Sequence, residues 1–140
     1  MLRHVRRPPS LAEQLASELA AVIDRLTLDT PHALQFWASY KDKEPLLDLV
    51  RVSWQRLRAD ELLTLEPTVL HAATLAFDEI ERFGLWLRET ETAPALMERR
   101  LEAARARLVP LAEAALQALG GPPSDPGPPD WLDTWRTLRR

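Results

Sequence analysis

Residues 67–87 read PTVLHAATLAFDEIERFGLWL, and within them Val69, Ala73, Ala76, Ile80, Phe83 and Leu87 recur at spacings of 4, 3, 4, 3 and 4. A strand alternates its faces every two residues, whereas a helix returns to one face every three or four. The stretch therefore predicts an amphipathic helix with an uninterrupted heptad seam. Pro67 suits the first helical position, where the missing N–H would have had no partner. Downstream, residues 94–119 repeat the pattern with Met97, Leu101, Ala104, Leu108, Leu111 and Ala115. Pro110 falls inside this second seam and removes one backbone hydrogen bond. Gly120-Gly121-Pro122-Pro123 is a stop signal, with glycine just past the last turn and proline beyond it. Two matched seams across the short 88–93 connection are expected to pack antiparallel.

Upstream, Ser10 followed by Glu13 is a capping-box pattern, and Leu15, Leu19, Val22 and Leu26 predict a helix over 11–26. Thr30-Pro31 reads as the cap and first position of a short helix carrying Leu34, Phe36, Trp37 and Tyr40 and ending near Lys41. Glu44-Pro45 opens a third helix, through Leu47, Val50, Trp54 and Leu57 to about Arg58. Residues 60–65 read as a turn or a short helix. The expected fold is all-α: an antiparallel four- to five-helix bundle with a Pro/Gly-linked short C-terminal helix. The first and third helices complete the bundle and the second is an insert. The competing arrangement pairs the two long helices across a dimer.

Four segments follow from this reading: a basic arm (1–9) with Arg3, Arg6 and Arg7, the bundle (10–121), a Pro-rich linker (122–130), and a terminal stretch (131–140). In the terminal stretch, WLDTWRTLRR, Asp130 is placed to cap a helix, and Trp131, Trp135 and Leu138 share one face, with Leu132 beside them. Burying the two Trp is worth about 8–12 kcal/mol and the two Leu about 3–5 kcal/mol, against about 15 kcal/mol for ordering ten residues. The two sides balance, so the stretch is expected to dock on its own bundle, on a sister subunit or on another protein. Ten residues are too few to hold a helix alone in water.

Composition narrows the chemistry. With no Cys, disulfides, thiol catalysis and Cys-ligated metals are excluded. Three of the four Gly lie at 120, 121 and 127, leaving only Gly84 in the body and no glycine-rich phosphate loop. No apolar run approaches the ~20 residues of a membrane span. The start of the chain has positive charge with no apolar stretch behind it, so a cytoplasmic protein with no membrane contact is expected.

The three His are His4, His32 and His71, and Thr68 stands where a Glu-x-x-His motif at His71 needs its glutamate. No metal site is expected. Asp78, Glu79 and Glu81, with Glu98 and Glu102 on the next helix, are the one set suited to a magnesium-dependent all-α hydrolase. Arg82, Arg99, Arg100, Arg105 and Arg107 interleave with them, which reads instead as a solvated face with local pairs such as Asp78 with Arg82. No serine sits in a nucleophile motif. No catalytic residue and no cofactor are therefore expected.

Arg51, Gln55 and Arg58 fall on one face of the expected third helix. With Arg3, Arg6 and Arg7 they form the footprint of a nucleic-acid-associated alternative. Residues 10–121 carry 12 basic and 18 acidic side chains, a balance that disfavours nucleic acid as partner. The expectation is a non-enzymatic protein–protein interaction protein, an adaptor or regulatory subunit. Its partner is another protein or a sister subunit, and Trp131, Leu132, Trp135 and Leu138 are its recognition residues. A homodimer is compatible with the seams.

Overall fold

The structure, a computed structural model, describes residues 8–121. Arg3, Arg6 and Arg7 of the expected basic arm, His4, the expected linker 122–130, and Trp131, Leu132, Trp135 and Leu138 of the expected terminal helix lie outside the described residues. Within 8–121 the chain is all-α: α1 (Leu11–Leu28), α2 (Thr30–Tyr40), α3 (Glu44–Leu49), a 3-10 turn (Trp54–Arg56), α4 (Ala59–Leu62), α5 (Pro67–Glu89) and α6 (Pro94–Ala118). No strand occurs among the described residues.

The helix ends are built as the local sequence dictates. Ser10 Oγ accepts the Glu13 N–H at 3.1 Å while the Glu13 carboxylate accepts the Ser10 N–H at 3.1 Å, so the capping box closes in both directions. At the far end of α6, Gly120 donates to the Gln117 carbonyl at 3.1 Å and Gly121 to the Leu116 carbonyl at 2.8 Å. That pair of bonds is a Schellman motif, and it needs the positive φ of 107° that Gly120 adopts; Gly121 follows with a φ of 85°. Thr30 is not a cap. The α1–α2 junction is a single residue, Asp29, and the Thr30 hydroxyl donates back to the Leu26 carbonyl at 2.7 Å, serving the end of α1 instead.

α6 lies at the centre, flanked by α5 and α1, with α2 also against it. The two long seams thus pack on one another within one chain, as the short connection requires. Leu15, Leu19, Val22 and Leu26 of α1 are all buried, as are Ala73, Ala76, Ile80, Phe83 and Leu87 of α5. Val69 is only partly buried, and Phe77, outside the predicted seam, is fully buried. In α6 the seam shifts by one residue beyond Leu108: Ala112 is buried and Leu111 only partly so. α6 continues as helix through Pro110. Among the described residues no polar or charged residue is buried, so the core is held by apolar packing alone.

The fourth side of the bundle corrects the expected third helix. α3 ends at Leu49, and residues 50–57 run on as an irregular strap with one 3-10 turn. Three tertiary contacts explain the break. The Arg25 guanidinium donates to the Arg51 carbonyl at 2.9 Å, and the Glu18 carboxylate accepts both the Ser53 N–H at 2.7 Å and its hydroxyl at 2.8 Å. Trp54 stacks on Phe77 at 4.7 Å with planes 4° apart. Val50, Val52 and Ser53 have modest helix propensity, so little is lost when these partners claim the backbone. From Lys43 through α3 and the strap the chain runs antiparallel to α5: Lys43 donates to the carbonyl of Thr90, just past the end of α5, Val50 lies against Gly84, and Trp54 against Phe77.

Candidate functional site

The strap and α5 do not close completely. Between them, and between α3 and α5, runs an open groove of about 610 Å³, whose lining includes the apolar Leu47, Val50, Val52 and Leu85 and the backbone at Gly84. Charged side chains edge it: Glu44 and Arg51 on the strap side, Asp78, Glu81, Arg82 and Arg88 on α5. Gly84 adds no side chain to that lining. A Cβ there would meet Val50 Cγ2 at 3.4 Å, an ordinary contact, so packing against the strap does not itself demand glycine.

The edge charges differ in how they are used. Arg51 pairs with Asp48 at 2.8 Å and Glu44 at 3.4 Å, and Arg82 pairs with Glu79 at 2.9 Å. Asp78, Glu81 and Arg88 have no ion-pair partner among the described residues. Burial, and after it the neighbouring Asp78, holds the Glu81 carboxyl above the usual carboxylate range. A cation delivered to this edge would favour the ionised carboxylate and so oppose the shift. Behind the strap, Arg25 is half-buried, and desolvation lowers its pKa against the pull of Asp48, Asp29 and Glu18. Its Nε has no hydrogen-bond partner, while Nη2 holds the Arg51 carbonyl.

A second, smaller groove of about 240 Å³ lies between α5 and α6, lined by Arg82, Phe83, Trp86, Arg100, Ala103, Ala104 and Arg107. Phe83 and Trp86 stack there with centroids 5.5 Å apart. Glu79 sits between two of its arginines, 2.9 Å from Arg82 and 3.6 Å from Arg107. Compared with family models, curated proteins and solved structures, the chain matches none.

The sequence-predicted residues fall as follows. Arg51 and Arg58 do not share a helix face, because the helix that would have aligned them ends at Leu49. Arg58 pairs with Asp60 at 3.2 Å and Glu61 at 3.4 Å, at the start of α4. The acids that the magnesium alternative would use are engaged in ion pairs: Glu79 bridges α5 to α6 through Arg107, and Glu102 pairs with Arg105 at 3.1 Å. No group of three or more metal-capable side chains forms among the described residues. Arg82 pairs with Glu79, three residues back, rather than with Asp78. His32 and His71 are both exposed. No helix among the described residues is long and apolar enough to cross a membrane. Neither groove was visible in the sequence, although a lone glycine amid a heptad seam was a usable signal for the first.

Proposed function

We propose that this chain is a non-enzymatic interaction protein, an adaptor or regulatory subunit, and that the groove between the strap and α5 receives an amphipathic helix from a protein partner. The observation that carries this reading is a groove lined by apolar Leu47, Val50, Val52 and Leu85 together with charged side chains, with Leu85 49 % exposed. Helix-in-groove recognition needs that combination: an apolar trough for the anchors and polar edges to fix the register. Asp78 and Glu81 favour a partner helix that carries Lys or Arg beside its apolar stripe. Trp131, Leu132, Trp135 and Leu138, outside the described residues, are a second set of candidate partner-binding residues by their sequence spacing.

The test is capture of the partner from host lysate by the full chain and by Leu85→Arg. Leu85 is exposed, so the variant keeps the core. A stoichiometric partner retained by the native chain and lost from Leu85→Arg supports the groove. A partner held equally by both overturns it.

A further inference from the structure

We infer that the outward crest of α5 is the contact of a symmetric dimer, in which a second copy of this chain lays its own α5 antiparallel on the first. Along α5, His71, Leu75, Asp78, Arg82, Leu85 and Glu89 follow one another at spacings of 4, 3, 4, 3 and 4. That is a second heptad seam on the same helix, on the face opposite the buried one. All six residues are exposed, and between residues 71 and 89 the only other exposed side chain of α5 is that of Arg88. Leu75 is 48 % exposed and Leu85 49 %. Heptad spacing is the form in which one helix meets another along its length.

The order of residue types says which helix it meets. From either end the seam reads polar, leucine, charge, charge, leucine, polar. In an antiparallel pair with its two-fold axis at the level of Ile80, positions equally far before and after Ile80 meet across the contact. Leu75 then meets Leu85, Asp78 meets Arg82 and His71 meets Glu89, and the symmetry makes each meeting twice. Four half-exposed leucines are covered, and Asp78 and Arg82 each face an opposite charge. Other arrangements lose this match. A parallel pair sets Asp78 on Asp78 and Arg82 on Arg82. Sliding the antiparallel pair by one heptad sets Asp78 against Leu75 in one direction and against Glu89 in the other.

The charged groups are available for such a contact. His71, Asp78 and Glu89 have no ion-pair partner among the described residues. Arg82 holds Glu79 through Nη1 at 2.9 Å, and a guanidinium has further donors for a second carboxylate. The seam covers eighteen residue steps, about 27 Å at ~1.5 Å per residue, and four of its six positions are polar. A contact of that size belongs with weak interfaces, so the dimer forms and parts with concentration. It goes beyond the partner groove, which opens on one flank of α5. Asp78, Arg82 and Leu85 stand on the edge of that groove, whereas His71, Leu75 and Glu89 do not line it.

The experiment is sedimentation velocity of the full chain over a range of concentrations. The samples are the native chain, Leu75→Arg, Asp78→Arg, Arg82→Asp, and the double variant Asp78→Arg with Arg82→Asp. All three positions are exposed, so the core is untouched. The native chain is expected to pass from monomer to dimer as concentration rises. Leu75→Arg and each single reversal should weaken the dimer about tenfold or more, and the double variant should restore it. An equimolar mixture of Asp78→Arg and Arg82→Asp should also dimerise, since each chain then meets its opposite. A native chain still monomeric at about 1 mM overturns the inference. So does a dimer indifferent to Leu75→Arg, or a mixture of the two reversals that associates no better than either alone. Because Leu75 does not line the groove, loss of the dimer in Leu75→Arg is read independently of partner capture there.

Discussion

Among the described residues Gly84 is the one glycine in the interior of a long helix, where it costs about 1 kcal/mol relative to alanine. Since an added Cβ would only touch Val50 Cγ2 at 3.4 Å, Gly84→Ala should raise stability by about 0.5–1 kcal/mol in urea unfolding. The same methyl group narrows the groove, so partner capture should weaken as the fold strengthens. A variant that destabilises would place the need for glycine in the packing instead. Three positions earlier, Glu81 is held above the usual carboxylate range by burial and by Asp78. The folded state therefore binds this proton more tightly than the unfolded state. Its contribution to stability is fully present below the ordinary glutamate value and is lost as pH rises through the raised one. Glu81→Gln should accordingly raise Tm near neutral pH and leave it unchanged in acid. A rise that persists in acid would assign the gain to something other than this titration.

At the scale of elements, legibility followed locality. The seams of α1, α5 and α6 were readable because each helix writes its buried stripe in its own spacing, and the caps at Ser10 and Gly120 sit within a few residues of their partners. The strap was not readable. Leu47, Val50, Trp54 and Leu57 keep helical spacing, yet the groups that break the helix, Glu18, Arg25 and Phe77, lie more than twenty residues away in sequence. The grooves were hidden for the same reason, since each is a gap between elements and belongs to neither alone. Glu18→Ala should free the Ser53 N–H and hydroxyl at a cost of about 1 kcal/mol. In hydrogen exchange the amides of 50–57 should then open faster while those of α5 and α6 keep their protection. Uniform acceleration across all three would mean that the strap is no separate unit.

Over the whole molecule, α6 is the shared wall: α1 and α5 both pack on it, and Leu101 and Leu108 are almost wholly inaccessible there. Leu101→Ala should cost about 2–5 kcal/mol, and helical circular dichroism and tryptophan fluorescence should lose their signals together. Separate transitions would show that one flank survives without the other. The central position of α6 also bears on biosynthesis. A ribosome releases α1 early, with Leu15, Leu19, Val22 and Leu26 in line, but the helix that covers them emerges only after residues 94–118 have been made. At about 5–20 residues per second that is several seconds of nakedness for a greasy stripe. The nascent chain, rather than the finished bundle, is where this protein is most exposed to aggregation and where a chaperone would find its handhold.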